Sequence, residues 1–150
     1  MILVASDHAG YELKVEAIKF ITMQYSFSIS DLGPNDTTSV DYADYANALC
    51  EAIIRDSYLA KGILICGTGV GMSIAANRWK GIRCALATTP HMAKMAREHN
   101  DANVLALGAR ILDSDTAFAC VSAFLSTSYE GGRHDGRLAK IVRGHSSTEN

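Results

Sequence analysis

Gly62-Ile-Leu-Ile-Cys66-Gly67-Thr68-Gly69-Val70-Gly71 is the stretch on which the reading of this chain turns. A short apolar run ends in a cysteine, opens into alternating glycines and then passes into a helical pattern. That is a buried strand delivering a thiol to the rim of a sheet, beside a loop whose backbone can closely approach an anion. A base and an oxyanion cradle thus lie within one turn of chain.

Outward from this stretch the pattern repeats as strand and helix. The expected strands are Ile2–Ser6, Phe27–Leu32, Gly62–Cys66, Ile82–Ala87 and Asn103–Leu107. Between them lie helical patterns at about Tyr11–Tyr25, with Leu13, Ala17, Ile18, Phe20 and Ile21 as its apolar stripe, and at Tyr42–Asp56 behind Asp41 as N-cap. Further helices are expected at Met72–Arg78, from Pro90 to about His99, and at Ser114–Ser126. Glu130-Gly131-Gly132 reads as a turn before a short basic segment, and His145–Asn150 as a frayed tail. Five short apolar strands alternating with helices imply an α/β fold: a three-layer α-β-α sandwich with a doubly wound, five-stranded parallel sheet, Rossmann-like in its right-handed crossovers. No linker or internal repeat divides residues 1–150, so one domain is expected.

Composition narrows the function classes. With 48% apolar residues among 150, the chain can bury one good core. A net charge of −2 with both signs scattered points to neither nucleic acid nor a membrane surface as the main partner. The start, Met1-Ile-Leu-Val-Ala-Ser6-Asp-His8, lacks a basic region and turns polar at once, so it reads as a first strand rather than a signal peptide. Cys50, Cys66, Cys84 and Cys120 form no C-x-x-C pair; a reducing cytoplasm is the simpler setting. Five scattered histidines give no metal-ligand pattern, so no metal is expected.

In doubly wound folds ligands sit beyond the carboxyl ends of the strands. Asp7 and His8, Cys66–Gly71, Thr88, Thr89 and Arg110 fall there. The glycine loop fails as a Walker loop because no lysine follows in place, and as a dinucleotide fingerprint because its spacing is G-x-G-x-G on the third strand. It fails as a cysteine-phosphatase loop because position 72 is Met rather than Arg. What survives is an anion nest suited to a phosphate or a developing enolate oxygen, against the plainer alternative of a tight packing turn. Cys66 is a small buried hydrophobe or, beside a helix N-terminus that favours a thiolate, a reactive group. Asp7 caps the first helix or serves a ligand. His99 and Asn100 fall at the far end of their helix, on the opposite rim, where His99 caps the helix or serves a neighbouring subunit. Arg133 and Arg137, with His134 between them and Arg110 elsewhere, make a solvated face or a phosphate clamp.

Six segments together resemble the type B ribose-5-phosphate isomerases, a group that includes the galactose-6-phosphate isomerase subunits. They are Ser6-Asp7-His8-Ala9-Gly10, Asp41-Tyr42, Gly62 to Gly71 with Ser73-Ile-Ala-Ala-Asn77, Arg97-Glu98-His99-Asn100-Asp101-Ala-Asn103, and Tyr129-Glu-Gly-Gly-Arg133-His134. The resemblance implies an aldose–ketose isomerisation of ribose 5-phosphate and ribulose 5-phosphate through a cis-enediolate, without metal or other cofactor. It makes Cys66 the base, has Gly67, Gly69, Val70 and Gly71 hold the enediolate oxygen, and gives Thr68 a part in proton traffic. It has His99, aided by Asp7, open the sugar ring and Asn100 bind sugar oxygens. His8, Arg110, Arg133 and Arg137 would hold the phosphate, and Tyr42 would line the pocket. It also implies a homodimer sharing its sites, with tetramers in some members. One branch of the family lacks the cysteine and uses a glutamate where Met72 stands here, which leaves Cys66 as the base. Ala43 replaces a proline common after Asp-Tyr. A hexose-6-phosphate isomerase, or a non-catalytic anion- or nucleotide-binding module, are the competing readings.

Overall fold

The computed structural model describes residues 1–141; the expected frayed tail, His145–Asn150, lies outside the described residues. The elements run β1 (Ile2–Ser6), α1 (Tyr11–Gln24), β2 (Ile29–Asp31), α2 (Tyr42–Arg55), β3 (Lys61–Cys66) and α3 (Val70–Ala76). Then follow β4 (Cys84–Leu86), α4 (Pro90–Asn100), β5 (Val104–Gly108), α5 (Ser114–Ser126), a 3₁₀ turn (Gly132–His134) and α6 (Asp135–Ile141). All strand pairs are parallel and the order is β2-β1-β3-β5-β4.

Alternation along each central strand divides the interior into two layers. Ile2, Val4, Ile63, Ile65, Leu105 and Leu107 pack with Leu13, Ala17 and Ile21 of α1, Ala93 and Ala96 of α4, and Val121 and Phe124 of α5. Leu3, Ala5, Leu64 and Cys66 face the other way, onto Ala46, Leu49 and Ile53 of α2 and Met72 and Ala76 of α3. The sheet is therefore covered on both faces, as continuous apolar strands require. Right-handed βαβ connections place the helices in the three expected layers.

The outer strands are shorter than their apolar runs. β2 pairs only with β1 and β4 only with β5, each over three residues, so the flanking residues of each run have no second strand to hold them. α3 begins at Val70, two residues before the expected start, because Gly69 takes up the turn with φ 78° and Gly71 enters the helix. Thr89 caps α4 by accepting from the Met92 amide at 3.2 Å, with Pro90 in the first turn. Asp41 stands at the N-cap of α2, although its side chain accepts no capping bond.

One polar group in the core was not foreseen. Lys14, fully buried on α1, donates to both Asp31 oxygens at 2.6 and 2.8 Å and to the Pro34 carbonyl at 2.7 Å. All three ammonium donors have an acceptor, which is the condition for burying the charge. The bonds tie the end of β2 and the Gly33-Pro34 turn to the first helix. No helix among the described residues is long and apolar enough to cross a membrane.

Candidate active site

β1 has β2 on one side and β3 on the other, so the chain changes direction of winding between β1 and β3. A crevice opens at the carboxyl ends of strands flanking such a switch. Asp7 and His8 leave β1 there, and Cys66 leaves β3. The two ends are joined by the Asp7 amide donating to the Ile65 carbonyl at 3.1 Å. The Asp7 carboxylate accepts from the Gly10 amide at 3.0 Å, closing the turn into α1.

The glycine loop is shaped by what each missing side chain leaves room for. A Cβ at Gly69 would lie 2.6 Å from Leu86 Cδ1 and 3.0 Å from the Leu107 carbonyl carbon. With that approach open, the loop folds back until the Gly69 amide points at Cys66, donating to Sγ at 3.1 Å. The thiol is buried, 5% exposed, with that amide directed at it. A Cβ at Gly67 would lie 3.3 Å from Arg110 Nη1, so the guanidinium rests against the loop. The Ala109 and Arg110 amides bond the carbonyls of Cys66 and Gly67 at 2.8 and 2.9 Å, fixing that approach. On the other side, a Cβ at Gly71 would lie 2.8 Å from Tyr42 Cε2 and Cζ. Tyr42, itself exposed, thus forms a wall over the first turn of α3. Thr68 at the loop tip is exposed, and its hydroxyl accepts from the Val70 amide at 3.3 Å. His8 Nδ1 lies 3.2 Å from the Val40 amide nitrogen and 3.3 Å from the Val40 carbonyl oxygen, which anchors the ring to the loop before α2.

The other three cysteines lie in a different environment. Burial, with Glu51 nearby, raises the Cys50 thiol to about 12, and burial alone raises Cys120 to about 11. Cys84 is pushed up further by burial and by Cys50. Near neutral pH these three remain uncharged thiols, as core residues should. Met72 is fully buried against α2 and β3, so the side chain at that position packs the core.

His99, Asn100, Arg133 and Arg137 gather elsewhere. α4 runs antiparallel to the strands and carries His99 and Asn100 to the opposite rim, about 16 Å along the helix from its start. Asp101 ends the helix in the left-handed region, φ 43°. Its carboxylate bridges Arg83 Nη2 at 2.8 Å and Arg97 Nη1 at 2.9 Å, while Arg83 Nε donates to the carbonyls of Asn100 and Asp101, each at 3.0 Å. This network fixes the turn presenting His99 and Asn100. The His99 ring stacks on His134, centroids 4.4 Å apart and planes 17° from parallel. Arg133 belongs to the 3₁₀ turn and Arg137 to α6, and both are exposed. Tyr129 holds this segment in shape by donating to Asp135 at 2.8 Å; loss of hydration, then the Asp135 carboxylate, push its phenol up to about 12.

Within one chain, then, Cys66, the glycine loop, Asp7, His8, Tyr42 and Arg110 share one rim, and His99, Asn100, Arg133 and Arg137 share the other. Sequence reasoning quoted Glu130 and His134 within the segment Tyr129–His134 and gave neither a role of its own. Yet Glu130 Oε2 is 3.4 Å from His134 Nε2, and His134 is buried. The four-residue spacing Glu130-x-x-x-His134 was the available signal, obscured because the segment does not read as a helix.

The same backbone occurs in solved structures. The chain is 44% identical to a ribose-5-phosphate isomerase B of Clostridium thermocellum, with a TM-score of 0.90 and 95% of each chain covered. It is 40% identical to the ribose-5-phosphate isomerase B of Mycoplasma genitalium, solved with bound ribulose-5-phosphate, with a TM-score of 0.91 over 98% of this chain and 97% of that one. The class defined is an α/β aldose–ketose isomerase. Among curated proteins, the ribose-5-phosphate isomerase B of Escherichia coli is 40% identical over 136 residues, 91% of this chain and 90% of that protein. The family model for ribose/galactose isomerases matches residues 2–141. The chain belongs to the ribose/galactose isomerase family.

Proposed function

We propose that this chain interconverts ribose 5-phosphate and ribulose 5-phosphate through a cis-enediolate, as a cytoplasmic enzyme of pentose phosphate metabolism. The observation that carries the reading is the Gly69 amide aimed at the buried Cys66 sulfur, at 3.1 Å, at the carboxyl end of β3. In the reaction the Cys66 thiolate takes the proton from C2 of the open-chain aldose. The electron pair forms the C1–C2 double bond, and the charge arriving on O1 meets the amides of Gly67, Gly69, Val70 and Gly71. The same thiol returns the proton to C1, and Thr68 assists the transfer of the hydroxyl proton from O2 to O1. No electrons leave or enter the substrate.

His99 opens the ring, with Asp7 in support, and Asn100 holds sugar oxygens. Because His99 stands on the far rim of its own chain, it acts on substrate held at the Cys66 of a second copy, in a homodimer that shares both sites. His8, Arg110, Arg133 and Arg137 receive the phosphate, and Tyr42 lines the pocket wall. This division of labour is supported by the position of each group and by the family match.

A rate comparison tests it. Ribose 5-phosphate incubated with the protein should yield ketose faster than allose 6-phosphate or galactose 6-phosphate. General-base catalysis is worth about 10²–10⁴-fold, so Cys66→Ala should lose that much of kcat/KM, whereas Cys84→Ala should stay near the parent rate. Full activity in Cys66→Ala would remove the base, and faster turnover of a hexose phosphate would replace the substrate.

A further inference from the structure

His99, Glu130 and His134 each offer a ligand atom, and these atoms all lie within 4.8 Å of one another. Two imidazoles and a carboxylate are the donor set of open zinc sites, in which a fourth position is left for water or another oxygen. We propose that these three side chains form a binding site for a single Zn²⁺ ion, and that the ion inhibits the enzyme by occupying the His99 imidazole. The inhibition rests on the role given to His99 under Proposed function; the binding does not.

Four observations bear on the site. The Glu130 Oε2 to His134 Nε2 distance is 3.4 Å, which matches the edge, roughly 3.3–3.5 Å, of a tetrahedron with Zn–N and Zn–O bonds of about 2.0–2.2 Å. The His99 and His134 rings are already in contact, 4.4 Å between centroids, and the half-buried His99 ring must turn well out of its 17° stack to aim its lone pair at the same ion. The Glu130 amide donates to the Glu98 carbonyl at 3.1 Å, so the backbone carrying one ligand is already tied to the residue preceding another. His134 is 2% exposed and Glu130 is exposed, which gives one ligand fixed by packing and one free to close over an arriving ion.

Arg133 is the competing cation. Its Nε donates to His134 Nε2 at 3.4 Å and must leave when that nitrogen takes the metal. Arg133 is exposed, so the guanidinium has solvent to move into. Since Arg133 is also assigned to phosphate, the ion would displace two groups from the reaction at once.

The test is a Zn²⁺ titration of the full chain in competition with a chromophoric chelator, followed by Co²⁺ substitution. One ion per chain should bind, and Co²⁺ should show the visible bands of a tetrahedral nitrogen–oxygen site without a thiolate charge-transfer band. Loss of an outer-shell partner of a metal ligand typically costs 10–100-fold in affinity, so Glu130→Gln and His134→Gln should each weaken binding at least about tenfold. Glu130 is exposed, which keeps its variant informative should His134→Gln fail to fold. Cys66→Ala should bind as tightly as the parent. In the isomerase assay, Glu130→Gln should keep its metal-free rate and lose most of the inhibition by Zn²⁺. Binding that survives both ligand substitutions, or that disappears in Cys66→Ala, would overturn the site. Tight binding at the three ligands with no inhibition of an active enzyme would overturn the inhibitory role. Because the titration needs no turnover, an inactive preparation would count against the proposed reaction and not against the metal site.

Discussion

Gly108, the last residue of β5, controls how closely the glycine loop can lie on the sheet, and Gly108→Ala should reveal it. A Cβ there would stand 2.7 Å from both the carbonyl carbon and oxygen of Thr68 and 2.9 Å from its Cα. Ordinary van der Waals contact begins near 3.4 Å, so a gap of about 0.7 Å must be made. Both sides are backbone, and no side chain can rotate away. The β5 side is pinned by the Ile65–Leu107 and Cys66–Gly108 pairing with β3, so the loop is the part that moves. Overpacking of this kind costs about 1–3 kcal/mol, which for a domain of this size is a fall in Tm of roughly 2–12 °C. Displacement of a catalytic group by about 1 Å can cost on the order of 100-fold in rate. A shift of the Thr68–Gly69 amides relative to Cys66 should therefore lower kcat by about 10–100-fold. KM should change less, since of the proposed phosphate groups only Arg110 touches the loop, while His8, Arg133 and Arg137 lie outside the moved segment. Gly136→Ala provides the control: it lies inside α6 with nothing within 4 Å of the new methyl, and should hold or slightly raise Tm. Steady-state kinetics and thermal melts on both variants decide the matter. A Gly108→Ala enzyme with the parent kcat would refute the claim that this glycine sets the cradle.

The buried thiols predict loss of stability at alkaline pH. Cys50 and Cys120 titrate at about 12 and 11 when folded and near 9.0 when unfolded, so their contribution is complete below pH 9 and fades as pH rises toward the folded values. Unfolding free energy should fall by up to about 1.4 kcal/mol per pH unit for each such thiol, and Cys50→Ala should flatten the slope measured by denaturant melts. Lys14→Ala removes the partner of Asp31 and of the Pro34 carbonyl; because the Asp31 side chain keeps 39% exposure, the expected loss is about 3 kcal/mol, the lower end for a broken buried pair, read from urea unfolding. Mixing a Cys66→Ala chain with a His99→Asn chain should restore activity, because a two-fold dimer of the two carries one intact site of two; random exchange gives about a quarter of the parent rate. No recovery after exchange would place both residues in one chain's site.

The layers of this fold were legible because each apolar run is short, ends in a turn and is followed by a stripe such as Leu13, Ala17 and Ile21. The strand order was not. β5 inserts between β3 and β4, a pairing that depends on how Val104 and Leu105 fit both neighbours, and nothing in the local pattern of either run states it. Lys14 illustrates a second limit. Its position next to Leu13 reads as the polar side of a helix, and only the distant acceptors of Asp31 and Pro34 make burial affordable. On the site, the thiol and glycine loop were visible because a strand, a turn and a helix start lie consecutively in sequence. The pairing of His99 with His134 spans α5 and an irregular segment, so chemistry that depends on it is set by tertiary packing.

The separation of the two groups is a consequence of the fold itself. A strand and the helix that follows it run in opposite directions in every right-handed βαβ unit. A residue at the end of β3 and one at the end of α4 must therefore fall on opposite rims. Joining them within a chain would mean moving His99 roughly the length of α4, against a C-terminus held by Arg83, Arg97 and Asp101 and a face packed through Ala93 and Ala96. No hinge of a few residues performs that. Apposing the rims of two chains requires no internal motion, and a two-fold axis gives each copy of Cys66 one copy of His99. In the proposed dimer the rigid end of α4 would have a use beyond stability: it would hold the imidazole at a fixed height above the rim, where a second chain could be built against it.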